Sequence, residues 1–240
     1  MKNYIDIHTH IMPEVDDGAK SFEESLELLK IAYQNGTNQF VLTPHYRGSY
    51  KNYSSILQPK FEVFSKKVAE VFPDIQLYLG TEIHYDSTVA EKLTNKQLVT
   101  LNNTQYCLLE LSNRFSKSKM LDAVYEVVAT GFIPIIAHIE HYDVFRDNLG
   151  LVAEVINIGA FIQVNADSIL GKNGLSKKRY CKFLLKNHCV HFVASDCHDV
   201  KYRPPLLNKC YNKVSSKYGT DYANKIFCDN QKMVLCSKLL

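Results

Sequence analysis

Seven short apolar runs in this chain each end on a side chain able to ligate a metal or move a proton. His8 and His10 end the first run, His45 the second, Glu82 the third and Glu110 the fourth. His138 ends the fifth, Asn165 the sixth, and Asp196 with His198 the seventh. From His10 to Asp196 the successive ends lie 27 to 37 residues apart, each close to one strand–helix repeat. With Asp17, five histidines, two glutamates and two aspartates make nine candidate ligands. One zinc ion takes about four ligands, so nine imply two or three ions bridged by carboxylates. Imidazole and carboxylate without thiolate suit manganese, iron, zinc or magnesium alike. Asp16-Asp17 also reads as a polar loop before a helix, where acidic residues favour the dipole, and spacing alone does not choose.

The elements that must position these groups follow from periodicity. The runs Tyr4–Ile7, Phe40–Leu42, Leu77–Leu79, Cys107–Leu109, Ile133–Ala137, Phe161–Val164 and His191–Ala194 read as buried strands. Between them, Ser21-Phe22-Glu23-Glu24 is a capping box that opens a helix closed by Gly36. Further helices are expected around Phe61–Val71, Leu121–Val128 and Val152–Ile156, stopped by Pro73, Gly131 and Gly159. Strand–helix alternation predicts a parallel sheet, and seven units predict a TIM-like barrel one strand short of eight. All strands of such a barrel end at one face, so the polar ends converge there.

Composition bounds the rest. The 240 residues are 46% hydrophobic and 22% charged, which excludes a disordered or fibrous chain. A net charge of +3 is weak for a dedicated binder of nucleic acid or of membrane surfaces. The N-terminus shows no secretory pattern, and no apolar run approaches the ~20 residues needed to span a bilayer. Seven scattered cysteines without a CxxC pair suit reduced thiols in the cytoplasm. With no linker in view, residues 1–240 read as one domain, its 211–240 segment a helical closing region without assigned chemistry.

Asp6-Ile7-His8-Thr9-His10-Ile11-Met12-Pro13, then Val15-Asp16-Asp17-Gly18-Ala19, resembles the opening motif of the polymerase and histidinol phosphatase (PHP) superfamily. Thr43-Pro44-His45, Gly80-Thr81-Glu82-Ile83, Leu109-Glu110, Ile136-Ala137-His138-Ile139-Glu140 and Ala194-Ser195-Asp196-Cys197-His198 follow in the family order. More narrowly, the chain is similar to bacterial tyrosine phosphatases of capsule and exopolysaccharide loci. The resemblance implies a distorted seven-stranded barrel and a cluster of up to three metal ions, usually manganese. The implied ligands are His8, His10, Asp17, His45, Glu82, Glu110, His138, Asp196 and His198. It implies hydrolysis of phosphotyrosine on the tail of a tyrosine autokinase controlling polysaccharide synthesis, with metal-activated water as nucleophile. A histidinol-phosphate phosphatase, or another small-molecule phosphoesterase, is the alternative within the superfamily.

Family members carry arginines at Arg47 and Arg203, whose planar forks suit a phosphate dianion. Where the family pattern reads His-x-Glu-Arg, this chain has His138-Ile139-Glu140-His141. The expectation is that His141 serves as a protonated donor, with activity falling above neutral pH as it discharges. Tyr46, Tyr50 and Tyr53 are candidates to stack on a substrate ring, and His84 to line the rim. Cys197 to Arg203 has the Cys-x5-Arg spacing of thiol phosphatases, but no glycine lies between them and metal ligands would crowd the sulfur.

Overall fold

The computed structural model describes residues 3–48 and 50–240; Met1, Lys2 and Ser49, inside the span read as one domain, lie outside it. Nine strand segments run β1 (Tyr4–Thr9), β2 (Thr37–Leu42), β3 (His45–Tyr46), β4 (Gln76–Leu79) and β5 (Glu82–His84), then β6 (Tyr106–Glu110), β7 (Ile133–Ile136), β8 (Phe161–Asn165) and β9 (Phe192–Ala194). Every strand pair is parallel. One sheet has the order β1-β2-β4 and the other β3-β5-β6-β7-β8-β9.

The nine segments are seven passes of the chain. Thr43-Pro44 interrupts the second pass between β2 and β3, and Gly80-Thr81 the third between β4 and β5. Pro44 lacks the N–H a ladder needs. Gly80 admits a close approach: a Cβ there would sit 2.8 Å from Leu101 and 2.9 Å from Val41. These two breaks split the barrel into two sheets and account for its distortion. Closure between last and first passes rests on a bridge from Thr9 to Cys197, with His10 N–H donating to Cys197 O and Asp196 N–H to His8 O, each at 2.9 Å.

Helices α1 (Phe22–Gln34), α2 (Ser54–Val71), α3 (Val89–Thr94), α4 (Lys117–Ala129), α5 (Asp143–Asp147) and α6 (Leu149–Ile158) occupy the earlier crossovers. Then come α7 (Ala166–Leu170), α8 (Leu175–Lys186), α9 (Leu207–Tyr218), α10 (Thr220–Asn224) and α11 (Asn230–Leu235). The capping signal at α1 is realised: Ser21 Oγ accepts from Glu24 N–H, while Glu24 reaches back one residue further than expected, to Lys20 N–H. Gly159 ends α6 at φ 119°, a conformation glycine adopts without strain.

The barrel interior is a compact apolar cluster of Ile5, Ile7, Val41, Leu108, Ile135 and Ala194, joined by Val234 from α11. The 211–240 segment does close the fold: α11 covers the end of the barrel away from the polar strand ends. Asn230 Nδ2 donates to His191 O, and Tyr106 Oη to Lys238 O, each at 2.7 Å.

At that same end His191 Nδ1 accepts the Ile162 N–H at 3.1 Å, a bond only the unprotonated nitrogen makes. Burial first, then the Lys225 charge, pull its pKa from 6.5 down to about 4. A neutral His191 therefore contributes stability that is complete above pH 6.5 and lost as pH falls toward 4. Between pH 7 and pH 5 the parent is expected to lose about 1–2 kcal/mol more than a His191→Gln variant. Urea unfolding at both pH values checks this, and equal losses would contradict it.

Candidate active site

The polar strand ends meet at one mouth of the barrel. Residues two apart on a strand face the same way, so His8 and His10 both turn inward, and their Nε2 atoms approach to 3.2 Å. Each lies 3.1 Å from Glu82 Oε2 and 3.3 Å from Asp196 Oδ1. Glu82, fully buried at the start of β5, also lies 3.0 Å from His45 Nδ1 and 2.8 Å from His138 Nε2. Asp17 Oδ1 is 3.4 Å from His45 Nε2 and 3.8 Å from His198 Nε2. Three overlapping sets result: His8, His10, Glu82 and Asp196; His10, Asp17, His45 and His198; His45, Glu82 and Glu110. Within each, the ligand atoms lie within 4.8 Å of one another. These sets hold eight of the nine expected ligands, and the ninth, His138, joins them through its 2.8 Å contact with Glu82.

Several of these atoms face each other without hydrogen-bond alignment. His45 Nδ1, His138 Nδ1, His198 Nε2 and Glu82 Oε2 are buried with no hydrogen-bond partner among the described residues. Buried polar atoms are otherwise nearly always paired. The orphaned nitrogens of His45 and His198, turned toward Glu82 and Asp17, fit divalent metal ions, and the donor set is the one such ions take. Asp196 and His138 also adopt left-handed backbone, at φ 53° and 32°. That conformation is uncommon for residues with a Cβ and is held here by the surrounding ladder.

Without metal, the cluster neutralises itself. Burial opposes ionisation of Glu82, but His8, His10, His138 and His45 outweigh it and hold the carboxyl well below its usual range. Asp196 is held low in the same way by His8, His10 and Arg203. Burial also opposes charge on His10, yet the carboxylates of Asp16, Asp196 and Glu82 raise it well above 6.5. His138 rises to about 9 because its bond to Glu82 overcomes desolvation. Burial and the nearby His10 charge instead pull His198 down to about 3.

The structure separates the two aspartates that spacing left open. Asp17 faces the ring nitrogens, whereas Asp16 stands behind them. Asp16 Oδ2 lies 2.7 Å from His10 Nδ1 and accepts from His45 N–H at 3.0 Å, and Asp16 Oδ1 accepts from Gly18 N–H. Such partners fix a ligand's tautomer and direction. A Cβ on Gly18 would fall 2.0 Å from His10 O, so the loop closes this tightly only with glycine there.

Gln163 escaped the sequence reading, and Asn165 and Glu140, named there, had no supporting role assigned. Gln163 Oε1 lies 3.2 Å from His8 Nδ1 and accepts from His138 N–H at 2.7 Å, while its amide donates to Asn165. Asn165 Nδ2 in turn donates to Asp196 Oδ2 at 2.7 Å, so that strand end supports a candidate ligand. Glu140, fully buried, accepts from Asn165 N–H. Burial raises its carboxyl to about 7. The alternation of Gln163 with Asn165 on β8 was the available signal.

Beside the cluster opens a cavity of about 400 Å³, lined among others by Arg47, Asn113, His141, Asp167, Asn173 and Arg203. Arg203 Nη2 donates to Asp196 Oδ2 at 2.6 Å with the side chain 40% exposed, so its fork is tied to the cluster on one side and open on the other. His84 Nδ1 lies 3.0 Å from Glu110 Oε2, with the side chain partly exposed.

Two expectations change, for the tyrosines and for His141, while the case against a Cys197 nucleophile holds. Tyr46 and Tyr53 are buried against each other, with Tyr53 Oη donating to His45 O, so only Tyr50 of the three is exposed enough to meet a substrate ring. Cys197 is fully buried, and burial raises its thiol far above the range of a nucleophile, which removes the thiol route. His141 does line the cavity but carries no charge at neutral pH: burial, then repulsion from His138 and Lys177, pull it down to about 3. Cations in the cluster would press it the same way. From pH 6 to 8, His141→Gln is therefore expected to leave the shape of the pH–rate profile unchanged. A shifted alkaline limb would restore the titrating role.

Residues 4–236 match the family model described as "Capsular polysaccharide synthesis, CpsB/CapC". The tyrosine-protein phosphatase CpsB of Streptococcus agalactiae serotype V is 37% identical over 238 residues, covering 96% of this chain and 98% of that protein. The tyrosine-protein phosphatase YwqE of Bacillus subtilis is 32% identical over 218 residues, covering 90% and 86%. A solved chain from the YwqE of Bacillus subtilis and CpsB of Streptococcus pneumoniae, described as unique metal-dependent tyrosine phosphatases, superposes with a TM-score of 0.91. It is 29% identical over 98% of this chain and 96% of its own. The chain belongs to the CpsB/CapC family of the PHP superfamily.

Proposed function

We propose that this chain is a metal-dependent protein-tyrosine phosphatase, acting on the phosphorylated tail of a tyrosine autokinase that controls capsular or exopolysaccharide synthesis in the cytoplasm. The observation that carries it is the meeting of eight imidazole and carboxylate side chains, with His138 against Glu82 as a ninth, beside a cavity with two arginines, in a chain of this family. His8, His10, Glu82 and Asp196 would hold one ion, Asp17, His45 and His198 with His10 a second, and Glu110 with His45, Glu82 and the adjacent His138 a third. Manganese is the metal the family resemblance implies.

Bound divalent ions supply Lewis acidity toward phosphoryl oxygens and acidify water enough to provide a nucleophile at neutral pH. The chain's own groups do the positioning. Arg47 and Arg203 take the non-bridging oxygens that face away from the cluster, where charge develops as the ester breaks. Asn113 and Asn173 offer neutral amides along the wall, and Tyr50 is an exposed ring free to meet a substrate. His141, neutral, offers a hydrogen bond and no proton reservoir. A phenolate departs with a pKa near 10, which lowers the demand for a strong general acid.

Phosphate release from a phosphotyrosine peptide, a phosphoserine peptide and histidinol phosphate, with added manganese and after EDTA dialysis, tests this reading. Turnover of phosphotyrosine that EDTA abolishes and Cys197→Ser preserves is expected. Preference for histidinol phosphate would overturn the substrate, and EDTA-resistant turnover would overturn the mechanism.

A further inference from the structure

The net charge of +3 conceals a strong local asymmetry. Helix α8 carries Lys177, Lys178, Arg179, Lys182 and Lys186, and α9 carries Lys209, Lys213 and Lys217, with no acidic residue in either. The remainder of the chain is consequently net acidic. Among the described residues, no ion pair joins any of these eight cations to a carboxylate. The two helices flank a cleft of about 60 Å³ whose floor is Ile169, Leu185 and Val214 and whose walls include Lys178, Lys182, Lys213 and Lys217. Lys213 donates to Ile169 O, and the like charges around it help burial to lower its pKa. Uncompensated repulsion of this kind is unfavourable in the isolated fold and is relieved by an anionic partner.

Two features choose the partner. The cations are lysines in seven cases of eight, point charges on flexible stems that meet diffuse negative charge without stereospecific forks. Among them on the outer side of α8 stand apolar residues that no core covers: Leu175 is 67% and Phe183 39% exposed. Basic side chains interleaved with exposed apolar ones on a solvent-facing helix are the pattern of an interfacial surface. We propose that the α8/α9 face docks this protein peripherally on an anionic lipid bilayer. Among the described residues no helix is long and apolar enough to cross a membrane, and the contact proposed is a peripheral one. The turn before α8 contributes Asn173 to the active-site cavity, so a docked molecule would hold that mouth close to the bilayer.

The test is flotation of the full chain with vesicles of phosphatidylcholine alone or with about one-third phosphatidylglycerol, at low and raised salt. Enrichment only on the anionic vesicles, released by salt, is expected. A variant with Arg179, Lys182, Lys186, Lys209 and Lys217 all changed to Gln should lose more than about tenfold in partitioning. These five side chains are exposed, and an unchanged thermal melt would show the fold intact. A matched control changing the exposed Lys30, Lys51, Lys60, Lys66 and Lys67 to Gln should lose much less. No enrichment on anionic vesicles, or equal loss in the control, would overturn the proposal. So would polyglutamate that binds the same face more tightly than the vesicles, which would assign it to an acidic protein.

Discussion

Glu82→Gln is expected to lower kcat/KM by at least about a thousandfold while leaving no more than a residue of bound metal. Glu82 touches four of the cluster's five imidazoles. Its two oxygens face His8, His10, His45 and His138 at 2.8 to 3.1 Å. An amide is nearly isosteric, but it turns one acceptor into a donor and removes the charge that the imidazoles share. In the metal-free protein the loss has a second signature. His138, lifted to about 9 by Glu82, would fall back, and the buried imidazoles would lose their main counter-charge. Removing one member of a buried charge cluster costs about 3–5 kcal/mol; deprotonation of the histidines relieves part of this, so a loss of about 2–3 kcal/mol in urea unfolding is expected. A Glu82→Gln protein with parental metal content and activity would remove Glu82 from the centre of the site.

Arg203→Ala is expected to cut kcat/KM by about a hundred- to a thousandfold while metal content stays near parental, the size seen when one preorganised donor to a developing charge is removed. Arg203 touches the cluster through Asp196 Oδ2, but that oxygen keeps the Asn165 amide at 2.7 Å when the guanidinium is gone. Arg203→Lys should recover little, because an ammonium cannot span Asp196 and a phosphoryl oxygen with one planar fork. Steady-state kinetics beside metal analysis separates the two roles. Parallel loss of metal and activity would make Arg203 a support of Asp196 and not a substrate clamp.

Much of this was legible in the sequence because a barrel converts repeat spacing into convergence. Apolar runs with β-branched residues marked all seven passes, and the polar residue after each run marked the mouth. What periodicity could not show was that the second and third passes resume after Thr43-Pro44 and Gly80-Thr81, since β3 and β5 are only two and three residues long and too short to carry a period. The choice between Asp16 and Asp17 also lay beyond spacing. It depends on which carboxylate the loop turns toward His45 and which behind His10, set by the tight closure at Gly18. Gln163 and Glu140 looked like ordinary polar residues, because their role comes from burial beside other elements. The same limit explains Tyr46 and Tyr53, whose place in a loop suggested exposure while their rings complete the core. The +3 total likewise hid the basic face of α8 and α9, because a sum over the chain cannot report where charge lies.

The most direct test of the central claim is metal stoichiometry followed against turnover. The parent chain, stripped with EDTA, would be titrated with manganese while bound metal is counted and phosphotyrosine hydrolysis measured on the same samples. Activity should be absent at zero metal, should rise only as the sites fill, and should stay absent at all additions in Glu82→Gln. Full hydrolysis by stripped protein, or metal binding that leaves the rate unchanged, would contradict the account.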